Sequence, residues 1–110
     1  IRDQVEHFIP SNANISDKAY ALITKDSTMQ PIFPEETILI IDPCVKPADR
    51  DYVIAHLPDQ KEATFKQILF DGHDIYLKPL NPDFRVIHLN KNNPLTILGV
   101  LVEARMHFKH

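Results

Sequence analysis

Two segments bring together residue types that can do nucleophilic chemistry. Thr24-Lys25-Asp26-Ser27-Thr28-Met29-Gln30-Pro31 sets hydroxyl side chains at the end of an apolar run, in a turn closed by proline where backbone amides can face a ligand. Ala63-Thr64-Phe65-Lys66-Gln67-Ile68-Leu69-Phe70 puts one lysine in the middle of a strand-like stretch. A hydroxyl and a lysine that can be desolvated are the parts of a nucleophile/base dyad, in which the neutral amine takes the hydroxyl proton. The chemistry expected of such a pair is attack on a peptide bond.

Strand alternation puts Thr64, Lys66, Ile68 and Phe70 on one face and Phe65, Gln67 and Leu69 on the other. Lys66 therefore has apolar neighbours, and burial among them disfavours its ammonium form, as a general base working near neutral pH requires. Each segment also has an ordinary reading. A strand lysine commonly packs its stem and reaches water with its head, and Asp, Ser and Thr are common in turns that do no chemistry. Lys78, ending its strand against Pro79, is the weaker base candidate and is expected to face solvent or a carboxylate.

The elements that must position these residues read as β. With 2 Gly and 9 Pro, turns fall to Pro and Asx residues, and the apolar runs between them are short and rich in Ile, Val, Thr and Tyr. Strands are predicted at 19–24, 37–42, 52–57, 62–70, 74–78, 86–89 and 95–108, mostly separated by Pro-containing connectors. The Asp71-Gly72 pair is the strongest hairpin signal. The last strand, apolar on both faces at Leu95, Ile97, Val100 and Val102, is suited either to the core or to cover by a partner. Residues 1–18 read as an extended arm or linker remnant that needs the rest of the domain, or another chain, to order it. Residues 19–110 read as the domain itself.

The 110 residues suit one domain with a single core. The net charge of -3, from 12 Lys+Arg and 15 Asp+Glu, with no basic run longer than two residues, argues against direct nucleic-acid contact. A single cysteine, Cys44, excludes an internal disulfide and fits a reducing cytoplasm. No secretory signal is read at Ile1, and the apolar runs fall well short of the roughly 18 residues of a membrane span. The histidines His7, His56, His73, His88, His107 and His110 are widely spaced with no cysteine pair nearby, so neither a metal nor another cofactor is expected.

Taken together, the two segments resemble the LexA-like self-cleaving repressor and signal peptidase superfamily. There a strand enters a Gly-Asp-Ser-Met-x-Pro turn bearing the nucleophilic serine, and a later strand bears the lysine base. Residues 21–31 lie over the first motif without a gap, and Thr64-Phe65-Lys66-Gln67-Ile68 over the second. Residues 33–43, Leu77-Lys78-Pro79-Leu80-Asn81-Pro82 and residues 97–104 resemble further family segments, so the similarity spans about 19–106. It implies a mostly β fold, a complex arrangement of several twisted antiparallel sheets with little helix.

In this register the family's Gly-Asp-Ser becomes Asp26-Ser27-Thr28. The resemblance thus implies Thr28 as nucleophile, Ser27 as the alternative, Lys66 as base, and the backbone of Ser27 and Thr28 as oxyanion donors. Threonine's extra methyl restricts χ1 and crowds attack, and Asp26 removes the freedom of glycine from a tight turn. Self-cleavage is therefore expected to be impaired or lost. The resemblance further implies a homodimer, a cleavage segment upstream in the same chain, a RecA-type coprotease or an antirepressor as partner, and DNA contact only through a helix-turn-helix domain preceding these residues. Three classes follow: a self-cleaving prophage or SOS-response repressor domain, a cleavage-deficient interaction module, and a UmuD-like polymerase accessory protein.

Overall fold

The computed structural model describes residues 2–7, 15–90 and 95–106. Its strands are β1 (Arg2–His7), β2 (Tyr20–Ile23), β3 (Ile38–Asp42), β4 (Tyr52–His56), β5 (Thr64–Asp71), β6 (Asp74–Lys78), β7 (Ile87–Leu89) and β8 (Thr96–Arg105). No helix occurs among the described residues, so the mostly β expectation holds. β-Branched and aromatic residues, which fit a pleated surface, fill these runs. Each predicted strand is present, generally a residue or two shorter, and β1 adds one within the arm. The predicted end of the last strand, at 107–108, lies outside the described residues.

All pairings are antiparallel, in the order β1-β2-β3-β8-β4-β5-β6-β7. The sheets expected separately are joined through β8, which pairs with β3 on one side and β4 on the other. Its two register shifts, opposite Ile40/Ile41 and Ile54/Ala55, bend the series so that the two halves can pack differently. Gly99 stands at this bend, with Ile41 and the Asp42 backbone so close that a side chain there would collide. The Asp71-Gly72 signal is realised as a two-residue turn: Asp71 pairs with Asp74, and Gly72 takes a φ of 61°.

β4 is buried on both faces. Ile54 points into a cluster with Leu22, Met29, Phe33, Leu39, Ile41 and Phe65, whereas Val53 and Ala55 join Ile68, Leu77, Leu89 and Val100. A third, smaller group joins Ile15, Ala19 and Ala21 to Ile40. Next to it, Asp42 anchors the stretch before β2: its carboxylate accepts from the Ser16 amide at 2.8 Å, the Ser16 hydroxyl at 2.7 Å and the Cys44 amide at 2.9 Å.

Candidate active site

The hydroxyl turn is built from both of its ends. Thr24, buried just past β2, accepts from the Thr37 amide at 3.1 Å and donates to the Pro34 carbonyl at 2.9 Å, so the loop that follows returns to β3 at a fixed point. Between these ties Met29 and Phe33 drop into the core, and the Phe33 ring meets Tyr52 and Phe65 edge-on at 5.0 and 5.1 Å between centroids. Phe65 precedes Lys66 on β5, so one aromatic cluster fixes both the turn and the lysine strand.

The structure brings Lys66 and Thr28 together. Lys66 is only 6% exposed, and its Nζ lies 3.2 Å from Thr28 Oγ1, 2.5 Å from Thr64 Oγ1 and 3.2 Å from the Phe65 carbonyl. Thr64 shares the face of Lys66, as alternation requires. Burial pushes the Lys66 amine below the usual lysine range, and the Asp26 carboxylate opposes part of that shift. Three acceptors match the three protons of an ammonium, and loss of one proton leaves a lone pair for the Thr28 hydroxyl.

Ser27 is oriented differently. Its carbonyl accepts from the Gln30 amide at 3.2 Å and from Asn81 Nδ2 at 2.9 Å, and among the described residues its side chain makes no hydrogen bond to Lys66. The Thr28 amide, one of the two implied oxyanion donors, is directed at Asp26 Oδ1, 3.1 Å away, and the Thr28 hydroxyl donates to the same oxygen at 2.8 Å. Burial works to raise the Asp26 pKa, but the side-chain and backbone hydrogen bonds from Thr28, together with nearby positive charge including Lys66, leave the carboxylate below its ordinary value. Lys78 ends β6 exposed, opposite Gln67.

Two hydrogen-bonding roles at the site are not assigned by the sequence reading, that of Asn81 and that of Asp26. Asn81 clamps the turn from the connector after β6, its amide on the Thr28 carbonyl and its side chain on that of Ser27, while the Leu80 amide meets Met29 Sδ at 3.4 Å. Nothing local to Asn81 announces a partner so distant in the chain. Asp26 was legible: Asp-x-Thr is the pattern of an Asx turn, in which the carboxylate takes the amide two residues on.

A model of the family described as Peptidase S24-like matches residues 2–102. The chain is 38% identical over 102 residues to a protein of Coxiella burnetii named "Uncharacterized HTH-type transcriptional regulator", covering 92% of this chain and 47% of that protein. It is 34% identical over 106 residues to "Repressor protein C2" of Salmonella phage P22, covering 93% and 48%. To the "HTH-type transcriptional regulator for conjugative element SXT" of Vibrio cholerae it is 44% identical over 75 residues, covering 68% and 34%. The chain thus spans about half the length, or less, of these relatives.

Proposed function

Because the chain belongs to the Peptidase S24-like family, we propose that it is the C-terminal regulatory domain of a phage-type transcriptional repressor, in which Lys66 and Thr28 form the dyad for self-cleavage. The observation that carries this reading is the contact at 3.2 Å between a buried lysine and a turn hydroxyl. In the reaction, neutral Lys66 takes the Thr28 proton as Oγ1 bonds to the carbonyl carbon of an upstream peptide bond. The resulting ammonium then protonates the departing amine, and water, deprotonated by Lys66, releases the acyl group.

DNA contact belongs to a helix-turn-helix domain elsewhere in the full-length protein, as the names of the relatives suggest. Homodimerisation through this domain would bring two such units to two half-sites. Both edges of β8 are paired, so a partner copy would cover its face, where Leu98 and Val102 are exposed, with Met106 beyond its end. A RecA-type coprotease would act by favouring the docked cleavage segment, and the setting is the cytoplasm.

A second reading, a cleavage-deficient interaction module relieved by an antirepressor, is favoured by one observation: Asp26 holds both the amide and the hydroxyl of Thr28. Incubating the full-length protein across rising pH, with and without coprotease, separates the two. Self-cleavage predicts two fragments that form slowly, form faster toward alkaline pH and vanish in Lys66→Ala. An intact chain throughout removes cleavage and leaves the interaction module. Sedimentation that finds only monomer at high concentration removes the dimer.

A further inference from the structure

We infer that Asp26 is a built-in brake on this site: its carboxylate oxygen occupies the position of a reacting carbonyl oxygen on the Thr28 amide, and holds the Thr28 hydroxyl turned away from Lys66. The inference rests on the reading of Thr28 as the nucleophile.

The geometry assigns every proton at the centre. A threonine hydroxyl has one proton, and that of Thr28 goes to Asp26 Oδ1 at 2.8 Å. The Lys66 head, 3.2 Å away, then meets Thr28 Oγ1 as a donor, with Thr64 and the Phe65 carbonyl as its other acceptors. The result is a chain from ammonium to hydroxyl to carboxylate, in which each hydrogen bond polarises the next. Attack requires the opposite arrangement, with the hydroxyl donating to a neutral amine.

The same oxygen also accepts from the Thr28 amide at 3.1 Å. A backbone amide beside the nucleophile stabilises the oxyanion only if it is free to point at it. Asp26 Oδ1 therefore stands where a substrate carbonyl oxygen would. Its carboxylate is a poor alternative base: burial works to raise its pKa, but the hydrogen bonds from Thr28 and nearby positive charge together hold it down. Lys66 on β5 adds to that lowering by its charge, while Lys25, the neighbour in the chain, has its ammonium held by Glu36 at 2.6 Å. Asp26 lies on the exposed rim of the turn, so a docking peptide segment can displace it without disturbing the core.

The test uses this chain and a fluorophosphonate, which reports nucleophile reactivity without needing the cleavage segment. Thr28 Oγ1 bonds to phosphorus, fluoride leaves, and the hydroxyl proton passes to neutral Lys66. Labelling at Thr28 is followed by peptide mass spectrometry across pH in the wild type, Asp26→Ala, Asp26→Gly and Lys66→Ala, with urea unfolding confirming that each variant is folded. Freeing one oxyanion donor is expected to speed labelling of both Asp26 variants by about a hundredfold, the lower side of what such a donor supplies. The midpoint of the pH profile should also move to lower pH, because Lys66 loses the carboxylate that favours its ammonium. A purely structural role for Asp26 would not move that midpoint. Labelling that depends on Lys66 but is unchanged or slower in the Asp26 variants overturns the brake alone. Labelling at Thr28 that ignores Lys66→Ala, or none at Thr28 in any variant, overturns the dyad and the brake together.

Discussion

Asn81 donates twice across the fold to the hydroxyl turn, from its backbone amide to the Thr28 carbonyl and from Nδ2 to the Ser27 carbonyl, both at 2.9 Å. The two bonds fix consecutive peptide planes and hence the direction of the Thr28 side chain toward Lys66. Asn81→Ala removes this side-chain bond and the one its Oδ1 accepts from the Asp83 amide at 3.0 Å, and is expected to cost about 1–2 kcal/mol in urea unfolding. Asn81→Asp, similar in shape but without the donor, should cost at least as much, and a full retention of stability in both would show that the clamp is not formed in solution.

Lys66 makes stability depend on pH with a defined sign. Its folded pKa lies below the ordinary lysine value of 10.5, so between those two values the unfolded chain binds more protons than the folded one. Stability contributed by this residue therefore rises with pH through that window. Lys66→Met removes the desolvated head, and the difference between wild type and variant in urea midpoint, taken over neutral to alkaline pH, should shrink as pH rises. A constant difference would mean that the head stays hydrated.

Asp42 has the opposite dependence. Burial works to raise its pKa, but the hydrogen bonds from Ser16 and Cys44 bring it below the ordinary value of 3.8. The stability it provides is present above 3.8 and is lost as pH falls through the lower folded value. Asp42→Asn should cost about 1–2 kcal/mol at neutral pH, since the amide keeps one acceptor oxygen where the carboxylate has two and turns its NH2 toward a donor. The effect should vanish at strongly acidic pH, which acid titration of the unfolding midpoint reads directly.

Gly99→Ala tests the bend of β8. An added methyl meets the Ile41 side chain and the Asp42 backbone at a φ of 159°, a conformation that side chains rarely adopt. Overpacking of this kind typically costs about 1–3 kcal/mol. Thermal unfolding at an unchanged midpoint would show that β3 yields without penalty.

The strands were legible because their signals are local. Ile38–Asp42 is an apolar run bounded by Pro-containing connectors, Asp71-Gly72 marks a tight turn, and alternation alone set Lys66 beside Thr64. The pairing of Thr28 with Lys66 was legible only by comparing both segments with a family, since they lie 38 residues apart and neither names the other. The sequence left the last strand open between the core and cover by a partner, and gave no sign of the clamp by Asn81, because both depend on which distant strands become neighbours. Asp26 could have been read from its Asx-turn pattern, but its consequence for the Thr28 amide emerges only with the geometry.

Thr28, activated by Lys66, is the proposed nucleophile. Its most direct test is the rate of self-cleavage of the full-length protein at alkaline pH in Thr28→Ala, Ser27→Ala and Thr28→Ser. The account predicts no cleavage in Thr28→Ala, a rate near wild type in Ser27→Ala, and faster cleavage in Thr28→Ser, where the crowding methyl is gone. Cleavage that persists in Thr28→Ala and disappears in Ser27→Ala would contradict it and assign the reaction to Ser27.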